Sequence, residues 1–365
     1  MTTQKATPYL GILATPITHT PPFPERSYYA YLTQAGRKIG LPVYVVLPNK
    51  IDFQTKTVIG YHYVNKKWEL KRLPLPSLVY DRVSNRKKYL SAIRTLKSIP
   101  SVTFLGHVLG DKLRNHNHLI QHAGIAAFMP PTELITSIQV VKNMFAYHDA
   151  IVIKPMQNSL GIGVMKLTSK KETHRAEGRD FRNKIFHRTF PSRAALLMWV
   201  RSQLKVKMIA QPYLTLSSPG GVPFDIRVLV QKNGSGQWNE TGRAARAGVP
   251  NGLTSNLCGG GSAHSVPEFL SKYYNSEQLA QIERDISYIA RELPPFLESR
   301  HGRLVELGID VGVDRDGKVW LIEVNSKPGR ASFRRIENGA YYRSVRLSPL
   351  KYAYYLKHSR QGTGS

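Results

Sequence analysis

Short apolar runs separated by turn residues organise this chain. Residues 9–13, YLGIL, predict a buried strand. Glu25 to Lys38 has helical spacing and ends near Gly40, and LPVYVVLP (41–48) predicts a second strand. Strand, helix and strand in so short a span predict a βαβ unit. Residues 57–72 read as a hairpin turning at Asn65-Lys66, SLVYDR (77–82) as a strand and Arg86 to Ser98 as a helix. Residues 1–105 are therefore expected to form a small α/β lobe.

A second unit starts near Gly110. In DKLRNHNHLIQHAGI, Asp111 is expected to be a helix N-cap and Gly124 its C-cap. AIVIKP (150–155) and MIAQPYL (208–214) predict strands. Between 166 and 207 lie 12 Lys or Arg against 3 acids. That stretch contains ETHRAEGRDFRNK, whose weak apolar periodicity predicts an exposed loop or hairpin. It is read as a mobile, basic lid insertion with little core to bury. A last unit runs from PFDIRVLVQ to a C-terminal helix rich in Tyr and Arg, and the final QGTGS reads as a frayed end.

VELGIDVGVD, the turn DRDG (314–317) and VWLIEVN (319–325) predict a hairpin with an Asp-Gly signal. Glu323 and Asn325 interrupt the end of its second strand and share one face by alternation. Two registers are open. Either Asp310 lies opposite Leu321, diagonal to Glu323, or Asp310 lies directly opposite Glu323. Both put the two carboxylates on one face, and a bulge would break that parity. A half-buried carboxylate needs a partner. Three convergent oxygen donors, Asp310, Glu323 and Asn325, suit Mg²⁺ with phosphate oxygens; pairing with Arg side chains is the alternative. Lys154 ends its strand within reach of a phosphate. Gly161 and Gly163 in SLGIG either let backbone N–H groups approach an anion or form a tight turn.

Composition changes this picture in one respect. The chain has 365 residues, 41% hydrophobic and 21% charged, as expected of a folded globular protein of two or three lobes. Its 52 basic residues against 24 acids give a net charge of +28, which favours anionic partners or is simply a soluble basic surface. The single cysteine, Cys258, excludes a disulfide framework and fits a reducing cytosol. No signal peptide and no membrane-spanning run is expected. Nucleic acid is disfavoured because no recognised motif accompanies the basic charge.

Taken in order, Lys112 in DKLRNHNHL, Lys154 in IVIKP, the flap SLGIG, IAQPYL, FDIRV, RAARAG, SNLCGGG and the set Asp310, Glu323, Asn325 resemble the ATP-grasp superfamily over residues 105–335. LGIL, VYDRVSNR and the RAARAG…SNLCGGG arrangement are most similar to the endospore coat-associated ATP-grasp proteins of the YheC/YheD type. The resemblance implies an α/β (α+β) chain: an N-terminal α/β pre-ATP-grasp lobe (1–105), a lid subdomain with the basic insertion (106–212), an antiparallel-sheet core (213–350) and a helix end and tail (351–365). It implies ATP as substrate and one or two Mg²⁺ held by Asp310, Glu323 and Asn325. Lys112 and Lys154 would bind the α- and β-phosphates. Ser159, Gly161 and Gly163 of the flap would close over them. Gln211, Tyr213 and Leu214 would line the adenine pocket through backbone groups, although Gln211 stands where many members carry an acid.

The resemblance implies ATP-driven activation of a carboxylate and attack by an amine. The transferred phosphoryl group needs fixed positive charge, which Arg presents as a planar fork. Arg227 is the first candidate; Arg243 and Arg246, three apart, face opposite sides on a strand and could converge on a loop, and at least one of them is expected to be only a surface charge. Asn256 would orient the γ-phosphate or is a turn residue before Gly259. Tyr80, Asp81 and Arg82 end a strand and either contact substrate or form an Asp81–Arg82 cap. His116 and His118, two apart on a helix, face different ways. Two readings follow: a carboxylate–amine ligase with an acidic acceptor, or a structural spore-coat or binding protein that keeps the fold. The resemblance places either in the cytoplasm, the mother cell or the spore coat, with spore-coat proteins as partners.

Overall fold

The computed structural model describes residues 8–110, 112–156, 162–249, 260–336 and 339–359. The apolar run LGILA forms β1 (Leu10–Ala14), buried along its whole length. The helix α1 (Arg26–Lys38) buries Tyr28, Tyr29, Leu32, Thr33 and Gly36, the one-sided spacing that its sequence carries. There follow β2 (Val43–Asp52), the hairpin β3 (Thr57–Val64) and β4 (Lys67–Pro74), β5 (Leu78–Arg82), α2 (Leu90–Ser98) and β6 (Thr103–Phe104). The turn residues Asn65 and Lys66 both take positive φ, as a two-residue hairpin turn requires. These strands make one sheet in the order β4-β3-β2-β1-β5-β6. β1 runs parallel to both β2 and β5, and β5 parallel to β6. The chain thus goes from β1 to β2 on one side and returns to β5 on the other.

Next come α3 (Lys112–Leu119), α4 (Ala123–Ala126), β7 (Glu133–Leu134), α5 (Ile138–Tyr147), β8 (Ala150–Pro155), β9 (Met165–Lys170), β10 (Thr173–Arg179), β11 (Ile185–Thr189), α6 (Arg193–Gln203) and β12 (Met208–Pro212). The expected N-cap Asp111 lies outside the described residues. The expected C-cap at Gly124 is corrected: Gly124 lies inside α4, which His122 caps through Nδ1. Glycine is needed there for space, because a Cβ would come 1.9 Å from the Tyr288 hydroxyl oxygen.

The basic stretch 166–207 is also corrected. It is no insertion with little core. β9, β10, β11 and α6 are parts of the second sheet, ordered β11-β10-β9-β8-β12-β7, and of its cover. Met165, Leu167, Ala176, Leu196, Leu197 and Val200 pack with Ile151 and Ile153 from β8. The charged residues occupy the alternate positions, as a half-buried hairpin allows.

The third sheet holds β13 (Phe224–Lys232), β14 (Trp238–Ala247), β15 (Ser262–His264), β16 (Glu306–Val313) and β17 (Val319–Asn325), in the antiparallel order β15-β14-β13-β16-β17. Between β15 and β16 run α7 (Val266–Leu270) and the long α8 (Ser276–His301). An Asn275–Gln278 capping box starts α8. Its Ile282, Ile286, Ile289 and Leu293 cover one face of the sheet. After β17, α9 (Ala331–Arg335) and α10 (Gly339–Ser359) follow. Phe333 and Val345 cover Leu229 and Ala244 on the opposite face. The far half of α10 reaches the first sheet, where Leu350, Tyr352, Ala353 and Leu356 join its core. The end of the opposite face that carries Asp225, Arg227 and Arg246 is thereby left to a polar cluster. Among the described residues no helix is long and apolar enough to cross a membrane.

Candidate functional site

The β16–β17 hairpin turns through residues 315–317, closed by Asp314 N–H donating to Lys318 O at 3.0 Å. Gly317 takes φ +86°, the left-handed position that such a loop needs. Next to this turn Val311 pairs with Leu321. A bulge then skips Ile322, and Asp310 pairs directly with Glu323 and Gly308 with Asn325. The bulge restores the parity that the turn breaks. Asp310, Glu323 and Asn325 therefore share one face.

Asp310 is already held by cations. Arg227, its ladder partner on β13, donates Nε to Oδ1 and Nη2 to Oδ2, the latter at 2.9 Å. Arg246 Nη2 lies 3.1 Å from Asp310 Oδ1. It also donates with Nε and Nη2 to Asp225 at 2.6 and 2.5 Å. Burial alone would raise the Asp310 carboxyl, but the two guanidiniums outweigh it and hold it below its ordinary value. Burial likewise works against the Arg246 charge, and Asp310 and Asp225 more than reverse that. Two carboxylates and two guanidiniums thus form a buried cluster, with Asp310 only 7% exposed. Arg243 turns to the other face of β14, donating to Glu283 and Ser287 on α8 at 2.7 and 2.8 Å. It is the arginine outside the site.

A cleft between the second and third sheets brings together Lys154, Gln211, Asn115, His116 and Glu323. Strand alternation explains Lys154: Ile151 and Ile153 enter the core, so Lys154 turns away from it. Burial first, and the nearby Lys154 ammonium second, push His116 below its ordinary pKa, which favours its neutral ring. Gln211 Nε2 donates to Thr132 Oγ1 at 2.7 Å. The Tyr213 N–H donates to Ala150 O at 3.0 Å and the Leu214 carbonyl accepts from Leu216 N at 2.9 Å. The Tyr213 N–H is thus engaged in the fold. The Tyr213 ring instead carries the Lys166 ammonium 4.1 Å from its centroid. Gly163 takes φ +77° with Pro155 and Phe181 close by. Lys112 is the first residue of α3. Ser159, Gly161, Asn256 and Cys258 lie outside the described residues.

Tyr80, Asp81 and Arg82 are corrected. They neither form an Asp81–Arg82 cap nor open to the cleft. Arg82 pairs with Glu25 at 2.9 Å and Glu306 at 3.0 Å. Glu306 also receives Tyr80, Gln231 at 2.9 Å and Arg330 at 2.5 Å. Asp81 instead takes Arg86 and, at 2.7 Å, Lys327. Sequence reading missed Glu306 and Arg330 altogether. The only local signal was the basic pair in KPGR directly after the metal-type strand.

The family assignment rests on a match over residues 101–356 to the model described as YheC/D-like ATP-grasp. The chain belongs to this ATP-grasp family. It is similar to the endospore coat-associated protein YheC of Bacillus subtilis strain 168, 29% identical over 342 residues that cover 91% of this chain and 93% of that protein. The fold is also that of the D-cycloserine synthetase DcsG, with TM-score 0.54 and 14% identity over 95% of this chain and 98% of that one. A Chryseobacterium gregarium RiPP-associated ATP-grasp ligase, solved with ADP and a leader and core peptide, matches at TM-score 0.50 and 13% identity over 94% and 96% of the two chains. The ATP-grasp fold of this chain is thus one that ligases use.

Among the described residues no three His, Cys, Asp or Glu gather into a metal site, so a metal reading depends on Asp310, Glu323 and Asn325. Their chemistry fits a hard cation. All three offer oxygen from one face, and a carboxylate has about four lone-pair sites, of which the arginines take three on Asp310.

Proposed function

We propose that this protein is an ATP- and Mg²⁺-dependent ligase that joins a carboxylate to an amine. The observation that carries the reading is the placing of Lys154, Gln211 and Glu323 on one cleft, with Glu323 the ladder partner of Asp310. In this reading the γ-phosphoryl group of ATP passes to a substrate carboxylate oxygen, giving an acylphosphate and ADP. The amine nitrogen then attacks the carbonyl carbon. The C–N bond forms, the C–O bond to phosphate breaks, phosphate leaves and the amine gives up its proton.

Lys112 and Lys154 bind the α- and β-phosphates. Ser159, Gly161 and Gly163 cover them, Asn256 orients the γ-phosphate, and Gln211 borders the adenine. Asp310, Glu323 and Asn325 are the residues that hold one or two Mg²⁺. Bound Mg²⁺ supplies charge neutralisation between phosphate oxygens. Arg227 and Arg246 are already desolvated and oriented by carboxylates, so they can meet developing negative charge with little reorganisation. The same reading divides the chain into lobes at about residues 1–105, 106–212 and 213–350.

The net charge of +28 and the leader and core peptide bound by the Chryseobacterium ligase support an acidic peptide or polymer as acceptor. The name of the Bacillus relative supports action in the mother cell cytoplasm or at the spore coat, with coat proteins as partners. One observation favours a second reading, a binding protein that retains the fold: Asp310 is clamped by two arginines. ADP release from MgATP, screened over carboxylate and amine pairs, separates the two. The ligase reading expects release with matched pairs only, and its loss in Glu323→Gln. Turnover that survives Glu323→Gln with a matched pair contradicts it.

A further inference from the structure

The segment between α4 and β7 is tied to both walls of the cleft. Phe128 O accepts from the Leu321 N–H on β17 at 2.8 Å, and the Ile135 N–H donates to Met208 O on β12 at 2.9 Å. Between these ties Pro130 and Pro131 restrict the backbone. β7 pairs with β12 in the register Leu134↔Ile209 and Glu133↔Ala210, and the next pair in that register is Thr132 and Gln211. Both line the cleft, as do Ile209, Leu321 and Met129.

The direction of each hydrogen bond here follows from the donors. Thr132 Oγ1 donates its one hydrogen to Pro130 O at 2.9 Å, and a carbonyl only accepts. The 2.7 Å contact between Gln211 and the same Oγ1 must then be a donation from the Gln211 amide nitrogen. That orients the amide. Nε2 faces Thr132, and Oε1 is left as an acceptor with no protein partner among the described residues. An amide bonded to a free hydroxyl could present either end, because a hydroxyl both donates and accepts. The bond to Pro130 O removes that freedom.

An apolar slot with one oriented acceptor discriminates among purines. Ile209, Leu321 and Met129 suit a flat base, and a few placed polar groups give such a pocket its specificity. The 6-amino group of adenine can donate to Gln211 Oε1. The 6-oxo group of hypoxanthine or guanine would set oxygen against oxygen. An amide turned over would reverse the preference, because Nε2 would then donate to the oxo group.

We propose that Thr132 is a positioning residue for nucleotide selection: it holds Gln211 as an acceptor and so makes the cleft choose a 6-amino over a 6-oxo purine triphosphate. The ligand of this selection rests on the ligase reading. Thr132 itself acts only through the Gln211 amide.

Binding of MgATP and of MgITP, its 6-oxo counterpart, to the full chain tests this by calorimetry. The native protein is expected to prefer MgATP by roughly tenfold. Thr132→Val keeps the branched shape and removes the hydroxyl. Thr132 is half-buried, so water can replace the hydroxyl at Pro130 O and the variant is expected to fold. Its amide can turn over, so MgATP weakens, MgITP strengthens and the preference falls to within about twofold. Damage to the fold would weaken both nucleotides alike, so the ratio reads positioning. Thr132→Ser retains the hydroxyl and is expected to retain the preference. Gln211→Glu presents only acceptors, so adding Thr132→Val to it is expected to leave the ratio unchanged. An unchanged ratio in Thr132→Val alone, or no preference in the native protein, overturns the proposal. ADP release with matched carboxylate and amine reads the ligase separately. Release with a ratio indifferent to Thr132 keeps the ligase and removes the selection, and a Thr132-dependent ratio without release does the reverse. Failure of both triphosphates to bind overturns both.

Discussion

Arg227 and Asp310 are partners twice. They are paired Cα positions across the β13–β16 ladder, and Arg227 holds both carboxylate oxygens of Asp310 through its guanidinium. The backbone register thus sets the distance of the ion pair, so neither side chain has to search for the other. That coupling of register and charge underlies what the cluster should do when perturbed.

Removing one member of a buried pair leaves an uncompensated charge, and this costs more than the pair itself contributes. Arg227→Met is expected to destabilise the fold by about 3 kcal/mol, read as a lower urea midpoint with unchanged slope. A loss below about 1 kcal/mol, typical of exposed pairs, would show that the cluster is solvated.

Arg246 and a divalent cation compete for Asp310. In Arg246→Gln one positive charge beside the oxygen set is gone, and Mn²⁺ without nucleotide is expected to bind roughly tenfold tighter. Electron paramagnetic resonance of free Mn²⁺ measures this. Equal or weaker binding would mean that Asp310 is no cation ligand.

Acid should loosen the junction between the first and third sheets. Burial raises the Glu25 carboxyl, but Arg82 and Arg330 outweigh it and hold it below its ordinary value. Lys327 and Arg86 do the same for Asp81 against its burial. A carboxylate lowered in the folded state contributes stability above its unfolded pKa, about 4, and loses it as pH falls. Unfolding free energy is therefore expected to decline from about pH 5 to pH 3, less steeply in Glu25→Gln. Equal slopes in the two proteins would exclude Glu25 from the effect.

Local pattern made much of this legible. The Asp-Gly turn and the alternation of VWLIEVN announced the β16–β17 hairpin and the shared face of Asp310, Glu323 and Asn325. The bulge at Ile322 has no sequence mark, because the parity it restores is set by the turn. Gly124 read as a helix stop, since glycine is common there, yet its cause is the Tyr288 ring on α8. For ETHRAEGRDFRNK a loop and a hairpin were both open, and β10 and β11 form the hairpin; what the sequence hid is the core under it, because its few apolar positions alternate with charged neighbours. Tyr80 and Glu306 are 226 residues apart, and only the folded chain shows that the polar strand end of the first sheet is closed by the third.

Everything proposed for the cleft depends on Glu323 and Asp310 holding a cation for ATP. Calorimetry of ATP binding, with and without Mg²⁺, decides this in the native chain and in Glu323→Gln, which keeps Arg227, Asp310 and Arg246. Binding is expected to strengthen with Mg²⁺ in the native chain and to lose that dependence in Glu323→Gln. Magnesium-dependent binding that persists unchanged in Glu323→Gln would contradict the cation site.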